Sequence, residues 1–420
     1  FLKATQGTIK LGIEFNHWNK EGDHYMHAFG NIGKKFPFCD FHHFWQKAEQ
    51  LEHGSNNIDA NSFWDYSLNY QAAKQSKFAP VNNIPNTNLP GLAYAYHFDA
   101  GLYAKLLSTH AQSMGVKHIE GTITQVLQHH DTGFIKSLLL EDGTTVAGDL
   151  FVDCTGLAAL LIEKTLSTGF EDYSHWLPCN RAMAVPCERT EEIKPYTRSI
   201  AHKVGWQWYI PLQHRTGNGL VYSDKYLSDE QAQKILLKNL DGKPLAEPKI
   251  VAFKTGRRRK QWHKNVIAIG LSNGFFEPLE STNIHLVQTA AIRLVKFFPH
   301  HDINIKEVSE FNRQAKIEAE GIRVMLLDEK TVDSDPLISQ AIGGVKLLVH
   351  NDNVAEATKI YNQIRLYEKD ENGNDMVCVN CESTKILIAE PSRKNIFYML
   401  FPFFEKTKHR CNVCNTTLFK

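Results

Sequence analysis

The sequence predicts a mixed α/β body followed by a smaller appended unit, and three observations carry that prediction. Segments of alternating apolar residues are interleaved with two long helical patterns, 98–114 and 283–298. The composition shifts after Phe311 into a charged stretch. Two C-x-x-C pairs, Cys378/Cys381 and Cys411/Cys414, follow near the end.

Taken in order, residues 9–15 alternate as a strand does. In 98–114, Phe98, Leu102, Leu106 and Leu107 keep helical spacing, with Asp99 near the start. The stretches 118–128, 134–141 and 145–152 read as strands, with the turn Glu141-Asp142-Gly143 between the last two. Residues 196–224 and 249–271 are again strand-like, and 283–298 is an amphipathic helix. Beyond Phe311, 306–320 is a charged helix, 322–327 and 341–349 are strands, and 354–367 is a helix. Residues 369–375 form a polar linker. The expected domains are thus 1–315, 316–366 and 374–420.

The 420 residues are 42% hydrophobic and 22% charged, which excludes a largely disordered, collagen-like or coiled-coil chain. Lys plus Arg is 47 against 46 for Asp plus Glu, a net charge of +1. Such a chain has no overall field to hold nucleic acid or an anionic membrane, and neither partner is expected. No apolar run reaches the roughly 18 residues a membrane helix needs; the stretch 396–404 is broken by Pro402. No signal peptide is visible, so a cytoplasmic location is expected. The sequence opens at Phe1 in the middle of a pattern, which suggests a fragment or a processed product. Cys39, Cys154, Cys179 and Cys187 are scattered. Scattered and paired cysteines together fit a reducing compartment and a metal site better than a disulfide framework.

Four segments stand out chemically. In Glu277-Pro278-Leu279-Glu280-Ser281-Thr282-Asn283, one of the last three residues can cap the following helix, whose first N–H groups then face an anion, with Glu280 alongside as a base. Alone, the pattern favours a capping segment with two solvated carboxylates. In Gly205-Trp206-Gln207-Trp208-Tyr209-Ile210-Pro211 the two indoles share one strand face, and spacing alone favours core packing. An apolar strand in 149–156 runs into Asp153 and Gly156, a turn common but not specific to nucleotide-binding proteins. Lys10 lies in an alternating strand, where a lysine ordinarily faces solvent.

The order and wording of these segments resemble the flavin-dependent tryptophan halogenases. Trp206-x-Trp208-x-Ile210-Pro211 matches that family's W-x-W-x-I-P motif, and Glu-Pro-Leu-Glu-Ser-Thr stands at 277–282. Further matches are Asp23-His-Tyr-Met-His-Ala-Phe-Gly30, Tyr96-His-Phe-Asp-Ala100 and Gly256-Arg-Arg-Arg-Lys-Gln-Trp262, so the resemblance covers about 1–315. It implies an FAD/NAD(P)-binding halogenase or monooxygenase-like body. Reduced FAD, supplied by a separate flavin reductase, turns chloride or bromide and oxygen into hypohalous acid. That acid travels an internal tunnel to the family's lysine, here Lys10, and the halogen passes to tryptophan or another indole. An ammonium donates hydrogen bonds to a hypohalite oxygen. Glu280 would polarise the delivered species or take the ring proton. The resemblance places Leu271, Ser281 and Ile284 at the flavin, Thr282 and Asn283 at the halide, and His27, Phe29 and Glu280 at the substrate.

Three departures accompany the resemblance. The family's opening strand, G-x-G-x-x-G and helix, which cradle the FAD pyrophosphate, do not occur in the sequence, so this chain by itself is expected to hold FAD weakly. Asn283 stands where the family has Gly, and Asn tolerates left-handed backbone angles better than most residues. After Phe311 the family's lid region is replaced.

The replacement, about 315–366, resembles a small bacterial signal-transducing domain of α+β type, with a turn expected at Gly343-Gly344. Cys378, Cys381, Cys411 and Cys414 read as a zinc ribbon of four thiolates, although the intervening stretch is longer than usual. The leading expectation is an FAD-dependent halogenase, a soluble oxidoreductase and homodimer. The alternative is an inactive halogenase fragment whose zinc-ribbon module serves protein interaction or signalling. A flavin monooxygenase is less favoured, because the resemblance implies that the paired Trp keep substrate from the flavin.

Overall fold

The computed structural model describes residues 1–34, 36, 38–52, 62–87, 89–277, 279, 282–300, 302–319, 325–327, 346–348, 376–388, 408–411, 413–414 and 416–419. The chain divides into two compact units, Phe1–Arg259 with Ala268–His285, and Lys260–Ile267 with Leu286–Lys420.

The first unit is built on a seven-stranded sheet among the described residues. Its order is Lys249–Ala252, Arg181–Cys187, Thr216–Tyr222, Gly205–Pro211, Thr197–His202, Gly12–Asn16 and His24–Ala28. Every neighbouring pair is antiparallel except Thr197–His202 with Gly12–Asn16, which is parallel. On one part of the sheet Met183, Val185, Leu220 and Tyr222 bury against Ala232 and Leu236 of the helix Asp229–Lys238. That helix starts where Ser228 and Gln231 form a reciprocal capping box. Leu11, Met26, Ala28, Ala73 and Tyr196 make a second cluster.

The expected single strand over 9–15 is two strands in two sheets. Thr8–Lys10 pairs with Ala95–His97, whereas Gly12–Asn16 joins the large sheet. The break is at Leu11, fully buried, whose N–H donates to Pro195 and whose carbonyl accepts from Phe29. Both of its backbone groups are thus satisfied outside either ladder. Gly12 is required where the strands approach closely, since a Cβ would lie 2.6 Å from the His27 carbonyl oxygen.

The helix expected near 98–114 is Ala100–Ser113, capped by the Asp99 carboxylate on the N–H groups of Gly101 and Leu102. None of its residues is buried, and Leu107 is 48% exposed. Ile123–Gln128, Ile135–Leu140 and Thr145–Ala147, each shorter than the strand expected there, form an antiparallel meander, with Gly143 at φ +84° in its last turn. The strand Phe151–Asp153 ends at a buried carboxylate. Asp153 accepts from the N–H groups of Thr155, Leu161 and Ile162, so it organises a turn at Gly156–Ala158 and a π-helix at Leu160–Thr165.

In the second unit Trp262 packs edge-on against Phe311 at 5.3 Å, and Asn312 bonds both the N–H and the carbonyl of Trp262. Phe311 lies on Ile305–Ala319, the expected charged helix. Met325–Leu327 pairs antiparallel with Lys346–Leu348, within the two strands expected there. Ile386–Ile388, Lys408–Cys411 and Thr417–Phe419 form a three-stranded antiparallel sheet. The helix expected at 354–367, the linker 369–375 and the Gly343-Gly344 turn lie outside the described residues. Among the described residues no helix is long and apolar enough to cross a membrane.

Candidate active site and cysteine cluster

The strand Thr8–Lys10 alternates buried, half-buried, buried, so Thr8 and Lys10 share the covered face. Lys10 is 7% exposed, against the solvent-facing position usual for a strand lysine. Its Nζ lies 5.7 Å from the centre of the Phe29 ring, a cation–π approach. Phe29 immediately follows the strand His24–Ala28, and its N–H is tied to Leu11, next in sequence to Lys10. His27 and Phe29 are two apart, with His27 exposed and Phe29 half-buried. The structure therefore brings Lys10 and Phe29 together, with His27 alongside in sequence.

His97 was not singled out for a role by the sequence, although it stands inside a matched segment. It is 5% exposed and hydrogen-bonded at both ring nitrogens, to Thr8 Oγ1 at 3.0 Å and Thr197 Oγ1 at 2.9 Å. Burial, and then the Lys10 charge, push its pKa down to about 3. A histidine two residues before a helix cap, in a short strand, was the available signal.

The two Trp of the 206–211 motif differ. Trp206 is buried with Val221 and Phe253, as core packing predicts, whereas Trp208 is half-buried beside it, ring centroids 6.1 Å apart. Opposite Trp208 stands Gly219, where a Cβ would fall 2.0 Å from Trp208 Cζ2. The glycine makes room for the indole. Trp206 Nε1 also donates to the Glu277 carboxylate at 3.4 Å.

Helix Thr282–Lys296 starts at Thr282, which is exposed. Asn283 turns its side chain back: its amide N–H donates to the Phe276 carbonyl at 2.6 Å, and its Oδ1 accepts from the Phe276 N–H at 3.1 Å. Asn283 thus clamps the loop before the helix. Leu271 and Ile284 are exposed apolar side chains, 39% and 48%. Pro278, Glu280 and Ser281 lie outside the described residues.

Separately, Cys378, Cys381, Cys411 and Cys414 converge, their four sulfurs all within 4.8 Å of one another. The nearest pairs cross between the two C-x-x-C segments, Cys378 with Cys414 and Cys381 with Cys411, each at 3.5 Å. A tetrahedral Zn²⁺ with Zn–S of about 2.3 Å separates its sulfurs by roughly 3.8 Å, so this donor set fits such an ion. Cys378 and Cys411 are buried beside Ile386, and the Val413 N–H donates to Cys411 Sγ. Hydrogen bonds from Thr416 lower the Cys414 thiol to about 5, the thiolate form a metal takes.

The tryptophan halogenase family profile matches residues 1–330. Tryptophan 6-halogenase SttH of Streptomyces toxytricini is 32% identical over 354 residues, covering 78% of this chain and 65% of the relative. Tryptophan 7-halogenase RebH of Lentzea aerocolonigenes is 31% identical, covering 75% and 61%. Among solved structures, BrvH, a flavin-dependent halogenase from Brevundimonas sp. BAL3, superposes with a TM-score of 0.71 at 40% identity, covering 81% of this chain and 66% of that one. Xcc4156, a flavin-dependent halogenase from Xanthomonas campestris, gives 0.70 at 38% identity, covering 88% and 72%. The chain thus spans just under two thirds of the length of the curated relatives it matches. With a match running through the lysine strand, the paired indoles and the start of the following helix, the chain belongs to the tryptophan halogenase family.

Proposed function

We propose that this chain carries the halogenating part of a flavin-dependent halogenase acting on tryptophan or another indole, with Lys10 as the residue that relays the halogen. The observation that carries this reading is the buried Lys10 ammonium, 5.7 Å from the Phe29 ring. A lysine held out of water beside an aromatic wall presents its N–H donors, or its amine, to a small oxidant rather than to solvent. An indole stacked on Phe29 and His27 would lie within reach of that nitrogen.

FAD, when bound in its reduced form, supplies with oxygen and chloride or bromide the hypohalous acid that Lys10 receives. Leu271 and Ile284 offer exposed apolar surface to a flavin ring. Ser281 would lie between flavin and lysine. The first N–H groups of the helix at Thr282 and Asn283 suit a halide, and the Asn283–Phe276 clamp fixes the loop before them. Glu280 would take the ring proton as the carbon–halogen bond forms. A flavin reductase is the partner this chemistry needs.

Residues 316–366 and 374–420 are proposed as an appended α+β domain and a ribbon holding one Zn²⁺ on Cys378, Cys381, Cys411 and Cys414. The convergence of the four sulfurs supports that ion site, and a role for the module in protein interaction or signalling is the second reading.

The test uses a version of the chain that carries the G-x-G-x-x-G unit, supplies it with FAD, a flavin reductase, NADH, halide and indole, and follows halogenated product by mass spectrometry. Lys10→Ala is expected to abolish aromatic halogenation while hypohalous acid still forms. Equal product from the variant would overturn the assignment of Lys10.

A further inference from the structure

We infer that His97 is a positioning residue for Lys10: an imidazole fixed in its Nδ1–H tautomer that ties the lysine strand, through Thr8, to Thr197 of the strand Thr197–His202. The inference deepens the reading of Lys10 as the relay and rests on it.

The tautomer follows from counting protons. Thr8 has one hydroxyl hydrogen, and it goes to the Pro211 carbonyl at 2.6 Å, because a carbonyl can only accept. Thr8 Oγ1 therefore meets His97 Nδ1, 3.0 Å away, as an acceptor, and Nδ1 carries the hydrogen. The other nitrogen, Nε2, is then a bare acceptor and takes the hydroxyl hydrogen of Thr197 at 2.9 Å. A neutral ring satisfies both bonds. A second positive charge on this covered face would stand beside Lys10, and both burial and that lysine oppose it.

The clamp acts on register. Thr8 stands opposite His97 and Lys10 opposite Ala95 in the two-stranded ladder. The chain of bonds Thr197–His97–Thr8–Pro211 joins the strands Thr197–His202, Ala95–His97, Thr8–Lys10 and Gly205–Pro211. A slip of one residue would turn Lys10 to the opposite face. A lysine displaced by about 1 Å from its working position can lose about a hundredfold in rate.

The experiment uses the full chain. Long-range ¹⁵N–¹H spectra of the imidazoles, with the His97 signals assigned by their loss in His97→Asn, should show Nδ1 protonated and Nε2 bare at neutral pH. An Nε2–H tautomer or an imidazolium would overturn the inference. Next, lysines are ¹³C-methylated and the Lys10 signal is assigned with Lys10→Arg. His97→Leu is expected to move the Lys10 titration midpoint and to lower aromatic halogenation about tenfold with hypohalous acid still released. His97→Asn, whose amide can still donate to Thr8, should keep both near the parent. Unchanged Lys10 titration and product in a folded His97→Leu would sink the positioning role. Should His97→Leu not fold, the parent's tautomer and the His97→Asn comparison decide. A parent given the G-x-G-x-x-G unit that still halogenates nothing would defeat the halogenase reading, whereas the tautomer and the Lys10 titration would still decide the clamp.

Discussion

The indole N–H of Trp206 reaches the carboxylate of Glu277 at 3.4 Å, and that bond joins two sequence words 71 residues apart. It ties the strand Gly205–Pro211 to the loop that leads into helix Thr282–Lys296. The same carboxylate faces Cys179, whose thiol is pushed up to about 12, first by burial and then by Glu277.

Glu277→Gln removes the negative charge beside Cys179 and should lower that thiol's pKa. The pH dependence of alkylation, read against Cys179→Ser to subtract the other cysteines, measures it. An unmoved profile would mean that burial alone sets the thiol. Trp206→Phe, which removes the donor, should cost about 1 kcal/mol in urea unfolding beyond its packing change.

Gly219→Ala places a methyl where the Trp208 ring lies, within 2.0–2.6 Å of three of its atoms. The ring must move, and overpacking of this kind costs about 1–3 kcal/mol. Chemical denaturation followed by tryptophan fluorescence should show a lower midpoint with an altered emission from Trp208. Trp208→Ala in the same background should recover part of the loss, because the collision disappears with the ring.

The His97 environment predicts an acid-side loss of stability. The folded pKa is about 3 against an ordinary 6.5. Between these values the unfolded chain binds the extra proton, so stability rises with pH. The contribution is fully present above about pH 6.5 and declines by about 1.4 kcal/mol per pH unit as pH falls toward 3. From pH 6.5 to 5 this one group should cost about 2 kcal/mol. Urea midpoints for the parent and His97→Asn should converge over that interval; parallel curves would remove His97 from the account.

The four converging thiols predict about one equivalent of zinc per chain. Removing it should unfold the ribbon strands, because a structural zinc site supplies on the order of 10 kcal/mol to a small domain. Metal analysis, and the charge-transfer bands of a cobalt-substituted sample, test the ligand set. Cys411→Ser should weaken retention strongly, since Cys411 is both a ligand and buried beside Ile386. A chain that folds identically under chelator, with no bound metal, would dismiss the site.

Much of this protein was legible from one dimension. The family words are local, each a run of a few residues, and two C-x-x-C pairs announce a thiolate site through short spacing alone. The strands of the 123–147 meander and the helix Ala100–Ser113 follow from periodicity and turn residues. Tertiary structure alone decided the rest. Lys10 is covered, contrary to its strand pattern, on a face where the ring of Phe29 lies 5.7 Å from its Nζ. The strand over 9–15 splits because Leu11 finds hydrogen-bond partners at Pro195 and Phe29, residues distant in sequence. Asn283, expected to offer its backbone N–H to the halide, turns its side chain to Phe276. His97 acquires its meaning only when Thr8, Thr197 and Pro211 arrive around it. Periodicity records which face of a segment is apolar; the burial of a charge and the tautomer of a ring depend on which groups the fold sets against it.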